Sequence, residues 1–216
     1  MMTNNTIKIK SYARRIGKSL SQTAVSLLDE ILPLYALDIN KLSSLQNIHV
    51  EIGFGYGEHL YAAALANPDK CFIGAEVYLN GICNLLKLCK NHPINNLFIY
   101  SGDINDILYS IRDNSVEAFY VFFPDPWTKK RYNKRRLLNY ERFGIIEQKL
   151  NVLGVLKFIT DIESYFINVI SMMPQDKVVL VNNINLSTYF TGYCPTKYHK
   201  IALMEERKIF ALVYKK

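Results

Sequence analysis

Ile48-His-Val-Glu-Ile-Gly-Phe-Gly-Tyr-Gly-Glu-His-Leu-Tyr-Ala-Ala-Ala-Leu-Ala66 is the stretch on which the reading of this chain turns. Ile48 to Ile52 is a short β-like run. Three glycines alternate over Gly53, Gly55 and Gly57, and Glu58 to Ala66 reads as a helix stopped by Asn67-Pro68. Strand, glycine turn and helix open a βαβ unit, and the same alternation continues outward. Cys71 to Val77 reads as a second strand. Asn80 to Cys89 follows as a helix, with Ile82, Leu85, Leu86 and Cys89 at three-to-four spacing. Asn96 to Tyr100 is a third strand, followed by a helix near Ile104 to Ile111. Val116 to Phe123 is an almost unbroken apolar run ended by Pro124, the pattern of a strand buried on both faces. Arg136 to Leu150 reads as a longer helix, Gly154 to Thr160 as a fifth strand, and Glu163 to Met172 as a helix ended by Pro174. Val178 to Val181 and Ile209 to Val213 supply two final strands. The pattern predicts an α/β fold with a mostly parallel seven-stranded sheet and helices on both faces.

Upstream, residues 1–45 read as an extension with a helix over Ser21 to Leu37 that Pro33 interrupts. The 216 residues fit one domain. No run of about 18 apolar residues is present, so no membrane span is expected. Met1 to Lys18 is polar and basic without an apolar centre and does not read as a signal peptide, so a cytoplasmic location is expected. Cys71, Cys83, Cys89 and Cys194 follow no C-x-x-C spacing, and the four histidines are scattered singly. No metal site is expected from them.

The formal net charge is +7 and the sequence pI about 9.1. Its distribution is more informative. Lys129, Lys130, Arg131, Lys134, Arg135 and Arg136 place six positive charges in eight residues with no acid among them. Lys8, Lys10, Arg14, Arg15 and Lys18 all precede the first acid, Asp29. Two basic concentrations point to a polyanionic partner.

In an open parallel sheet, ligands bind outside the carboxyl ends of the strands. Each of five consecutive predicted strand ends carries an acid there: Glu51, Glu76, Asp103, Asp125 and Asp161. One alone is commonly a helix cap or a turn residue; five together describe a crevice. The glycine loop departs from a dinucleotide fingerprint, because Glu58 stands where the third glycine belongs and Gly57 comes one position early. Glu51 and Glu58 would also repel pyrophosphate. An acidic loop of this kind suits a ligand with positive charge and ribose hydroxyls, which S-adenosylmethionine has. Glu76 stands where an acid accepts from ribose hydroxyls, and Asp103 where one accepts from an adenine amino group.

At this point the motifs resemble one family, the bacterial tRNA (guanine-N7-)-methyltransferases. The run Val121-Phe-Phe-Pro-Asp-Pro-Trp-Thr-Lys-Lys-Arg-Tyr-Asn-Lys-Arg-Arg-Leu137 is similar to that family's signature. Glu51-Ile-Gly-Phe-Gly-Tyr-Gly57, Gly74-Ala-Glu-Val77, Gly102-Asp103, Thr160-Asp161 and the basic entry Ser11-Tyr-Ala-Arg-Arg-Ile-Gly17 match as well. The resemblance implies a Rossmann-like class I methyltransferase that transfers a methyl group from S-adenosylmethionine to a variable-loop guanine of tRNA, releasing S-adenosylhomocysteine. It implies cofactor contacts by Glu51, Gly53, Gly55, Gly57, Glu76, Asp103 and Asp125. Lys129, Asp161, Thr196, Lys197, Tyr198 and His199 are implied to meet substrate. Arg131, Tyr132, Asn133, Lys134, Arg135 and Arg136 are implied to meet RNA. Asp125 is the catalytic candidate, since a carboxylate there stabilises positive charge developing on guanine. Trp127 is read equally as a base-stacking ring or a core anchor. The chain departs from the family at His199, where the family carries an acid, and Glu205 is the neighbour able to compensate. The ending after Tyr198 also differs. A monomer is expected, with a dimer as the alternative.

Two other readings compete. Enzymes that methylate an exocyclic base amino group favour Asp/Asn-Pro-Pro-aromatic after strand four; here Trp127 follows Pro126, so the second proline is absent. A non-catalytic RNA-binding protein of the same fold would not need the intact acid set.

Overall fold

The computed structural model describes residues 9–12, 19–181, 186–190 and 192–216. Lys8, Arg14, Arg15 and Lys18 of the predicted basic entry, with the rest of Ala13 to Gly17, lie outside the described residues.

Seven strands form one sheet in the order β3-β2-β1-β4-β5-β7-β6. They are β1 (Ile48–Ile52), β2 (Cys71–Glu76), β3 (Leu97–Ser101), β4 (Val116–Phe122), β5 (Leu150–Thr160), β6 (Val178–Val181) and β7 (Phe210–Lys215). β1 to β5 pair in parallel, and β7 runs antiparallel to both β5 and β6. The strand order reverses beside β1, whose register sets Glu51 between Gly74 of β2 and Tyr120 of β4. That juncture is where an open α/β sheet leaves a crevice.

Alternation along the strands supplies both faces. On β4, Phe119 and Val121 join the cluster under α5 (Ile104–Ser110), α6 (Tyr140–Lys149) and α7 (Glu163–Ile170). Ala118, Tyr120 and Phe122 point the other way, toward α1 (Gln22–Glu30), α2 (Leu32–Tyr35), α3 (Glu58–Ala66), α4 (Leu79–Asn91), α8 (Leu186–Tyr189) and α9 (Lys197–Met204). This is why the Val116 run is apolar on successive residues.

Three boundaries differ from the sequence reading. The helix expected over Ser21 to Leu37 is two helices, with Ile31 between them and Pro33 in the first turn of α2, where its missing N–H costs nothing. The helix expected from Arg136 begins four residues later, at Tyr140, because Asn139 is extended and its side chain accepts from the Arg142 N–H. Lys130–Arg135 is instead a separate 3₁₀ segment. The fifth strand starts four residues before Gly154, at Leu150.

Candidate functional site

A cavity of about 560 Å³ opens at the carboxyl ends of β1 to β5, and Glu51, Glu76, Asp103, Asp125 and Asp161 all line it. The glycine loop forms one wall. Gly53 and Gly55 have φ of +71° and +55°, and a Cβ added to either would meet nothing within 4 Å. The left-handed conformation and the open side together let a ligand approach the backbone. Gly57, at φ +77°, differs: a Cβ there would lie 2.8 Å from Leu85 of α4.

Glu76 fastens this loop. Its Oε2 accepts from the Gly55 N–H at 2.8 Å, while Oε1 accepts from Val77 and Tyr78 at 2.7 and 3.0 Å. Burial raises its carboxyl above the ordinary value, opposed by these N–H donors. Three bonds leave a carboxylate with acceptor capacity at Oε2. Glu51 is buried and is held by His59, whose Nδ1 lies 2.9 Å from Oε2. Asp103 caps α5, Oδ1 accepting from Asn105 N at 2.9 Å, and takes the Ser11 hydroxyl at 2.8 Å on the same oxygen. The three acids therefore sit at fixed positions along one wall. Their charge and the cradle at Gly53 and Gly55 fit the cationic, ribose-bearing S-adenosylmethionine.

Asp125 occupies the opposite wall, in Phe123-Pro-Asp-Pro-Trp127. Phe123 and Trp127 adopt φ of 47° and 40°, a sparsely populated region for bulky residues and one that collects at functional sites. Asp125 is exposed to the cleft, yet the crowding walls raise its carboxyl above the ordinary aspartate value. Asp161 pairs with Arg207, which also lines the cavity and whose Nε lies 3.0 Å from Glu205. On the rim, Lys197 donates to the Tyr56 hydroxyl at 3.2 Å and covers its ring at 4.3 Å, joining the start of α9 to the glycine loop. That ammonium lowers the Tyr56 phenol, aided by Tyr78, and the Lys197 amine rises in return.

Four of the expected contacts lie outside the cavity lining. Arg136 is not an exposed RNA contact: it is 1% exposed, its Nε donates to Pro126 O, and its terminal nitrogens donate to Ser164 O and Oγ. Its charge clasps the Asp125 loop to α7. His199 does not line the cavity. It is buried against Phe123, with Nδ1 2.6 Å from the Tyr193 hydroxyl, and burial lowers its pKa. Glu205 pairs with Arg207 and stands outside the cavity lining. Lys129 is exposed and also outside the lining. Thr196, Lys197 and Tyr198 do line it; Thr196 is buried, caps α9 and accepts from His199 N at 3.3 Å. Arg131 and Lys134 are exposed, while Tyr132, Asn133 and Arg135 are half-buried.

Several site residues carried little signal in the sequence. Arg142 is 1% exposed, lines the cavity and reaches Leu137 O and Asn105 Oδ1. Its clue is an arginine in the apolar stripe of Leu138, Phe143 and Ile146. His59 and Arg207 had no local clue, since their partners lie 8 and 46 residues away.

Residues 45–212 match the family described as "Putative methyltransferase". A tRNA (guanine-N(7)-)-methyltransferase of Wolbachia pipientis is 36% identical over 188 residues, covering 84% of this chain and 83% of its own. This chain belongs to the tRNA (guanine-N7-)-methyltransferase family. A bifunctional methyltransferase of Rickettsia typhi is 43% identical over 200 residues, 92% of this chain but 39% of its own length. The chain thus spans about two fifths of the Rickettsia relatives it matches. A solved 16S rRNA methyltransferase shares the fold at a TM-score of 0.55 and 9% identity, covering 82% of this chain and 91% of that one. Family membership and the seven-stranded sheet agree on a Rossmann-like class I methyltransferase fold.

Proposed function

We propose that this member of the tRNA (guanine-N7-)-methyltransferase family methylates N7 of a guanine in the variable loop of tRNA, acting in the cytoplasm as a monomer. The observation that carries the reading is the convergence of five strand-end acids on one cavity beside an open glycine cradle. When bound, S-adenosylmethionine supplies an electrophilic methyl group on a sulfonium, whose positive charge passes to the acceptor. Gly53 and Gly55 would admit it, Glu76 would accept from its ribose, Asp103 from its adenine amino group, and Glu51 would face its positive end.

Guanine N7 carries an in-plane lone pair and no proton, so no general base is required. The chain's contribution is positioning and electrostatics. Asp125 faces the cleft from its strained loop and stabilises positive charge growing on the guanine ring. Asp161, held by Arg207, accepts from the guanine N1 and amino group. The exposed Lys129, Lys130, Arg131 and Lys134 meet phosphate.

The test is methyl transfer from labelled S-adenosylmethionine to unmodified tRNA transcripts, with nuclease mapping of the product. N7-methylguanosine in the variable loop is the expected result. A methyl group on an exocyclic amino group, or S-adenosylhomocysteine failing to bind in calorimetry, would overturn the reading.

A further inference from the structure

Three aromatic rings surround one guanidinium at the mouth of the cleft. The Arg135 guanidinium carbon lies 4.3 Å from the Tyr132 ring centroid, 5.0 Å from Trp127 and 5.2 Å from Tyr12. Trp127 meets Tyr12 at 6.3 Å and Tyr132 at 6.0 Å, both edge-on at 74°. Tyr12, Trp127 and Arg135 line the same cavity as Asp125, two residues before Trp127. The backbone holds Trp127 at a φ of 40°, and the Arg136 clasp on Pro126 fixes the loop immediately before it. Strain kept in place by a buried arginine indicates that the direction of this ring matters.

Aromatic faces attract a flat cation more strongly than a flat neutral ring. Guanine is neutral when it arrives. Methylation uses the N7 lone pair and releases no proton, so the purine leaves carrying the positive charge given up by sulfur. We propose that Tyr12, Trp127 and Tyr132 form the subsite for the target purine, that the cage binds the purine more tightly as its charge develops, and that Arg135 is a resident cation which the incoming base displaces. The proposal rests on the methyl transfer to guanine proposed above. Its consequence is differential binding: an interaction stronger in the transition state than in the ground state raises the rate of chemistry rather than affinity alone.

Trp127 is the chain's single tryptophan, so biosynthetic replacement with mono-, di-, tri- and tetrafluorotryptophan changes this ring alone. Fluorine withdraws electron density from the ring face while keeping its shape. The readout is the single-turnover rate of methyl transfer at saturating tRNA transcript and saturating labelled S-adenosylmethionine. The expected result is a stepwise fall in the logarithm of the rate, about 2- to 30-fold across the series, the worth of a cation–π contact. In a second measurement on the unsubstituted chain, tRNA already carrying N7-methylguanosine should bind more tightly than unmodified tRNA, within the same range. A flat rate across the series, or equal affinity for the two tRNAs, overturns the cage as a cation subsite and leaves Arg135 a brace for the loop. Unsubstituted protein that methylates no guanine N7 overturns the functional reading and this proposal with it.

Discussion

Asp125 and Arg136 stand eleven positions apart, on either side of the 3₁₀ segment Lys130–Arg135, and do opposite things with charge. Asp125 keeps its carboxylate facing the cleft. The Asp125→Ala variant is expected to lose about 10²- to 10³-fold in kcat, the typical effect of removing one transition-state charge contact, with an unchanged urea midpoint. Because crowding raises its pKa, activity should fall on the acid side with a midpoint above the ordinary 3.8, and a pH–rate profile reads it. Arg136 spends its charge inside the protein. Arg136→Ala leaves Pro126 O and Ser164 unsatisfied and should cost about 2–4 kcal/mol in urea unfolding. Exposed Arg131→Ala should stay within about 0.5 kcal/mol. Six basic residues in a row of eight were legible in the sequence; which of them turns inward was not, because that depends on carbonyls supplied by Pro126 and Ser164.

At the scale of elements, the basic segment and the glycine loop each give a measurable consequence. Six phosphate contacts would give a salt slope near −4, at about 0.7 ions per contact. With Arg136 buried and Arg135 held among aromatic rings, four exposed cations remain: Lys129, Lys130, Arg131 and Lys134. The slope should then be near −3, so a fourfold rise in salt weakens tRNA binding by roughly 50-fold. A filter-binding titration across salt concentrations measures it. Gly81 of α4 supports the glycine loop from beneath, since a Cβ there would lie 2.1 Å from Gly55 O. Gly81→Ala must push the cradle outward, and calorimetry should show at least a tenfold loss of S-adenosylhomocysteine affinity, about 1.4 kcal/mol or more. The glycines of the loop announced themselves by spacing. Gly81 gave no such signal, because what demands it is a neighbouring backbone 26 residues upstream.

Over the whole molecule, one half-buried cation, Lys157, has a testable effect on stability. Lys157 of β5 lies over the Tyr120 and Phe190 rings at 5.6 and 5.4 Å, and burial lowers its amine to about 8 from 10.5. Below pH 8 it is charged in both folded and unfolded chains, so the full burial cost is felt. As pH rises from 8 to 10.5 the folded chain sheds the proton first, and stability increases. Lys157→Met should therefore be more stable at pH 7 by about 1–3 kcal/mol, with the gain shrinking above pH 8; urea midpoints across pH decide it. Sequence by itself determined the alternation of strands and helices, the two-faced sheet and the five strand-end acids. Those depend on hydrophobic period and on local turn chemistry, both carried by neighbouring residues. Only the tertiary structure decided that His59 holds Glu51, that Arg207 holds Asp161, that His199 faces Tyr193 rather than the cleft, and that Arg135 sits among three rings. Each of these is a contact between segments whose meeting is set by strand order and helix packing, and no local pattern encodes it.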